Sequence, residues 1–136
     1  MTRDLETRLA EVAQQYGRYK ANAYLFTYEA VSYTVDRRYA ATLEFGHVTG
    51  REVLEGIKEL ALARFGFMAK TVFQEWGVGA TEDFGEIVFH LVREGVVSKT
   101  DNDSVGDFAR GFDFDEAFVR HHDWLGRLAE PRTSRP

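Results

Sequence analysis

The sequence predicts a mainly α domain of four to five helices. It has a helix-turn-helix-like core, followed by a short β-hairpin or an extended, wing-like segment. Apolar residues recur at three- and four-residue spacing along most of the chain, the period of amphipathic helices. Gly17, Gly66, Gly77 and Gly95 each close such a run, where a left-handed helix end is needed. Thr49 is followed three residues on by Glu52, the signature of a capping box.

The first helix spans 4–15, with Leu5, Leu9 and Val12 on one face and Gly17 as its stop. The second, 22–39, carries one stripe of Tyr24, Tyr28, Val31 and Val35 and another of Phe26, Ala30 and Tyr33. A helix apolar on several sides belongs at the centre of a fold or in an interface. After a connector, helix 52–65 follows its Thr49 cap, with Val53, Leu54, Ile57, Leu60, Ala61 and Phe65 facing inward. A short element over 67–76 presents Val72, Phe73 and Trp76. Thr81 is read as the N-cap of helix 81–94, whose buried face is Phe84, Ile87, Val88, Leu91 and Val92. Val96 and Val97 begin a strand, a polar turn follows, and Phe108, Phe112 and Phe114 return it, so the hairpin covers 96–114. A last helix is expected over 115–128. Residues 1–128 form one domain and 129–136 a disordered tail.

Composition bounds the chemistry. With 136 residues, 44% of them hydrophobic, the chain is long enough for a real core. The aromatic share, 14%, is high enough to place some rings at an interface. There is no cysteine, which excludes disulfides, thiolate metal sites and cysteine nucleophiles. No apolar run approaches the roughly 18 residues that cross a bilayer, so membrane insertion is not expected. The start of the chain is charged and helical rather than signal-like, and the expected location is the cytoplasm. The net charge of −5 is uneven: residues 1–70 hold 10 Lys/Arg against 9 Asp/Glu, and residues 71–136 hold 7 against 13. An acidic C-terminal half repels phosphate backbones and favours basic partners.

The order 52–65, 67–76, 81–94 and hairpin is that of a winged helix-turn-helix. A recognition helix sets its first residues on bases and phosphates. Here those are Glu82, Asp83 and Glu86, with Glu94 further on and Arg93 as the one cation. The hairpin adds Lys99 beside Asp101 and Asp103. Nucleic acid is therefore disfavoured by charge on this face. A second surface interleaves aromatic and basic residues: Tyr16, Arg18, Tyr19 and Lys20 before the second helix, and Tyr33, Arg37, Arg38 and Tyr39 at its end. Such a set serves protein interfaces, stacks on bases, or simply edges a core.

Other motifs fail. The run 101–106, DNDSVG, begins like a calcium loop, but Val105 and Phe112 stand where oxygen ligands are required. His47, His90, His121 and His122 show no metal or triad spacing, and no phosphate-loop motif is present. No catalytic, cofactor or metal residues are assigned.

The runs 48–66 (VTGREVLEGIKELALARFG), 69–77 (AKTVFQEWG), 81–89 (TEDFGEIVF) and 24–26 (YLF) resemble the Minf-type family of small uncharacterised bacterial proteins. The resemblance covers roughly 4–118. It implies a single bacterial cytosolic domain, and it transfers no catalytic residue, ligand or mechanism.

The expectation is a non-enzymatic protein–protein interaction module, which includes self-association. Its surface would be drawn from Arg18, Tyr19, Lys20, Tyr33, Arg37, Arg38, Glu82, Asp83 and Glu86. The alternatives are a nucleic-acid-associated protein using Arg18, Lys20, Arg37 and Arg38, and a metal-dependent enzyme at His90, His121 and nearby acids.

Overall fold

A computed structural model describes residues 2–42, 48–97, 108 and 111–120. Within them the chain forms five α-helices: α1 (Thr2–Tyr16), α2 (Ala21–Thr42), α3 (Gly50–Phe65), α4 (Ala69–Glu75) and α5 (Thr81–Arg93). A 3-10 turn, Gly66–Met68, joins α3 to α4, and a π-helical turn, Asp115–Arg120, follows α5 at a distance in sequence.

α2 is the hub. α1, α3 and α5 all pack on it, and it buries Ala23, Tyr24, Phe26, Thr27, Ala30 and Thr34. The two buried threonines satisfy themselves within the helix: Thr27 donates to Ala23 O at 2.7 Å and Thr34 to Ala30 O at 2.8 Å. α2 and α3 approach closely because Gly56 faces Thr34; a Cβ on Gly56 would lie 2.0 Å from Thr34 Oγ1. No ordinary side chain fits there.

Helix ends follow the glycines. Gly17, Gly66, Gly77 and Gly95 have φ of 70°, 56°, 90° and 77°, conformations glycine reaches without a Cβ penalty. At the start of α3, Thr49 Oγ1 accepts from Glu52 N–H at 3.1 Å and Glu52 accepts from Thr49 N–H at 2.8 Å. The capping box is formed.

The aromatic surplus is largely core. Phe73 of α4 is fully buried. Its ring centroid lies 5.5 Å from Phe26, 5.7 Å from Trp76, 5.0 Å from Phe84, 5.4 Å from Phe114 and 5.7 Å from Phe118. Tilted and edge-on rings at this spacing add to their area burial.

Two local readings change. Thr81 is not the N-cap. Ala80 holds the extended cap conformation, and Asp83 folds back to accept from Gly79 N–H and Ala80 N–H at 2.8 and 3.2 Å. Thr81 instead points inward, donating to Phe108 O at 2.6 Å and accepting from Gly111 N–H at 3.0 Å.

The strand expected at Val96 and Val97 is also replaced. Their N–H groups donate back to Leu91 O at 2.8 and 3.3 Å, which closes α5 as a C-terminal turn. No strand occurs among the described residues. The spacing of Phe108, Phe112 and Phe114 has another cause: Phe108 abuts Gly85, and Phe114 enters the aromatic core. Residues 98–107 and 109–110, which hold most of the expected hairpin, lie outside the described residues. So do His47, Lys99, the 101–106 loop, His121, His122, the rest of helix 115–128, and the tail 129–136.

Candidate functional site

The predicted surface residues fall into two clusters at opposite ends of α2. Lys20 and Arg37 are 17 positions apart, about 25 Å along the helix axis at the standard rise. The four cations of the aromatic-basic set therefore do not make one continuous patch.

The first cluster joins both halves of the prediction. Arg18 lies just before α2, and its guanidinium bridges Glu86 at 2.6 Å and Asp83 at 3.3 Å. Tyr19 sends its hydroxyl between the same carboxylates, 2.6 Å from each. Burial, and then hydrogen bonding to Asp83 and Glu86, pushes the Tyr19 phenol far above its ordinary range. The acidic start of α5 is thus covered by the basic turn before α2, and each compensates the other. Lys20 is exposed, and its backbone N–H holds Trp76 O at 3.2 Å. Glu82 is exposed on the first turn of α5.

The second cluster lines an open groove of about 500 Å³ between the C-terminal half of α2 and the N-terminal half of α3. Tyr33, Arg37 and Arg38 form the α2 side, and Glu52, Glu55 and Glu59 the α3 side. Arg37 ion-pairs with Glu59, and Tyr33 donates to Glu59 at 2.9 Å. Arg38 reaches both Glu52 oxygens at 2.8 and 2.9 Å. Glu52 therefore serves the α3 cap and the groove together. Glu55 is exposed, and it forms no hydrogen bond or ion pair among the described residues. Thr34 and Gly56, both buried, make the floor. The spacing of Glu52, Glu55 and Glu59 places all three on one side of α3.

A third cluster surrounds His90, which lies between Ile87 and Leu91 on α5. His90 is 9% exposed. Tyr16 stacks on its ring with centroids 3.7 Å apart and planes at 11°. Tyr24 Oη lies 2.7 Å from His90 Nδ1. Burial holds the imidazole below its ordinary 6.5. Tyr24 is pushed up to about 12, mainly by burial. Glu94, just past α5, accepts from Tyr16 Oη at 2.9 Å, Gln15 Nε2 at 3.2 Å and Arg8 Nη2 at 3.4 Å. The Tyr16 hydrogen bond is the main reason its carboxyl lies below the ordinary 4.5. This cluster couples α1, α2 and α5, and no spacing in the sequence announces it. His90 thus faces two tyrosines, and among the described residues no group of three or more His, Asp or Glu stands close enough to hold a metal ion.

No helix among the described residues is long and apolar enough to cross a membrane. The chain matches no protein-family model, no curated protein and no solved structure.

Proposed function

We propose that the protein is a non-enzymatic interaction module whose docking face is the groove between α2 and α3. The scaffold is helix-turn-helix-like, with α3, α4 and α5 in that order and the turn at Gly77 leading into α5. The observation that carries the reading is the groove itself: an open cleft of about 500 Å³ with arginines on one side, glutamates on the other and a floor of small residues.

That lining suits a polypeptide better than a nucleic acid. Two arginines stand against three glutamates, so the cleft presents no net positive field to phosphates. Arg18, Arg37 and Arg38 are already paired with carboxylates. A protein segment carrying both charge signs exchanges partners with these pairs and gains the exposed Glu55, which pairs with nothing among the described residues. Charged pairs at such a rim set orientation and partner choice more than raw affinity. The resemblance to Minf-type proteins agrees with a single-domain module and adds no chemistry.

The test places a photo-crosslinking residue at Glu55 in the full chain, expressed in its host. A discrete adduct is expected, at twice the chain mass if the partner is a second copy. Charge reversal by Arg38→Glu is expected to abolish it. A protein that stays monomeric over a wide concentration range and gives no adduct from position 55 refutes the reading.

A further inference from the structure

The two sides of the groove run antiparallel and carry opposite charge. Glu29 pairs with Arg64, Tyr33 with Glu59 and Arg38 with Glu52, while Thr34 faces Gly56. Residue numbers rise along α2 as they fall along α3. Position 55 therefore lies level with residues 34–38. Arg37 reaches back to Glu59 and Arg38 forward to Glu52. Glu55 is left between the two arginines, exposed, with no hydrogen bond or ion pair among the described residues.

A two-fold axis makes a surface meet itself. When two such clefts face each other, the axis lies between them and has two limiting directions. An axis across the helices sets α2 on α2 and α3 on α3 of the second copy, arginine over arginine and glutamate over glutamate. Like charges placed face to face are strongly disfavoured. An axis along the helices sets α2 of each copy over α3 of the other, and it keeps each residue at its own level. Arg37 and Arg38 of one copy then stand opposite Glu55 and Glu59 of the other, and the contact occurs twice. Only this direction supplies Glu55 with a cation.

We infer that the occupant of the α2–α3 groove is a second copy of this chain, related by a two-fold axis parallel to the two helices, with Glu55 of each copy against Arg37 and Arg38 of the other. This rests on the groove being the docking face, and it adds what fills it. The α2 lining runs from Tyr33 to Thr42, about 14 Å of helix. A contact of that length and two helices wide falls well below the ~800 Å² per partner of a standard stable interface. The dimer is therefore transient, and water lies between the two floors, as it does in many polar interfaces.

Sedimentation equilibrium of the purified full chain tests this from about 10 μM to about 500 μM, the range in which a contact this small dimerises. A monomer–dimer equilibrium is expected. Glu55→Arg breaks no bond among the described residues and sets an arginine against two others, twice per dimer. Dimerisation is expected to weaken about tenfold or more. Arg37→Glu, which faces Glu55 of the second copy, is expected to do the same. An equimolar mixture of the two variants is expected to recover wild-type affinity, because each reversed side chain then meets the other. If Arg37→Glu does not fold, the order wild type, Glu55→Gln, Glu55→Arg, from tightest to weakest, decides alone. A dimer indifferent to both reversals, or a mixture no tighter than either variant, overturns the two-fold arrangement. A wild-type chain that is monomeric throughout overturns the second copy as occupant. In that case a crosslinked adduct of another mass from position 55 leaves the groove as a docking face, and no adduct removes both.

Discussion

The tightest glycine contact among the described residues gives the sharpest stability prediction. Gly56 of α3 faces Thr34 of α2, and an added Cβ would sit 2.0 Å from Thr34 Oγ1, 3.3 Å from Thr34 Cβ and 3.4 Å from Ala30 O. Ordinary contact begins near 3.4 Å, so Gly56→Ala requires either that α2 and α3 separate or that Thr34 rotates. Rotation breaks the hydrogen bond to Ala30 O, about 1 kcal/mol. Separation is overpacking, about 1–3 kcal/mol. Alanine returns about 1 kcal/mol through helix propensity. The net is a loss of up to about 2 kcal/mol, or a fall in Tm of up to roughly 8 °C. Urea and thermal unfolding of Gly56→Ala, Thr34→Ala and the double variant measure it. Deleting the Thr34 hydroxyl is expected to rescue Gly56→Ala, giving a coupling of about 1 kcal/mol or more. Strictly additive variants refute the close-packing argument.

Three further outcomes are expected. Thr49→Ala removes the capping oxygen of α3, and urea unfolding is expected to show a loss of about 1 kcal/mol. Thr81→Val leaves Phe108 O and Gly111 N–H without their hydroxyl partner, and a loss of about 1–3 kcal/mol per orphaned buried group is expected by the same method. Glu94 has a depressed folded pKa, so its contribution is complete above 4.5 and disappears as pH falls through the folded value; Glu94→Gln is expected to make stability flatter over that acid range in a pH series of unfolding curves.

What the sequence showed clearly was punctuation. The four glycine stops all hold positive φ, the capping box formed as its residues required, and the helix apolar on several sides became the hub. These features are local, or nearly so, and local chemistry is written in adjacent residues. Failures arose where tertiary context decided. Val96 and Val97 have the β-branched character of a strand, but Gly95 turns them back on α5. Thr81 has the chemistry of a cap, and the loop at 108–111 claims its hydroxyl instead.

The candidate site was legible as a list of residues and not as an arrangement. Arg18 and Tyr19 read as a basic, aromatic surface and Asp83 and Glu86 as an acidic one. More than sixty positions separate them, and nothing periodic in the chain marks them as partners. Their pairing sets one guanidinium against two of the acids on the first turns of α5. The His90 cluster shows the same limit: Arg8 and Glu94 are 86 positions apart, and only the packing of α1 against the end of α5 joins them.

The role of α2 as hub also bears on how the chain assembles. Its contacts with α1 and α3 are between sequence neighbours, whereas its contact with α5 closes a loop of about forty residues. Loop-closure entropy delays the second kind, so α1, α2 and α3 assemble early and α5 docks late. Contacts made on docking, including Arg18 with Glu86 and Tyr24 with His90, are then absent from the folding transition state. Substitutions there act on the unfolding limb of a chevron and leave the refolding limb nearly unchanged. The interactions that join the start of α2 to α5 are thereby expected to set how long the native state survives, rather than how quickly it forms.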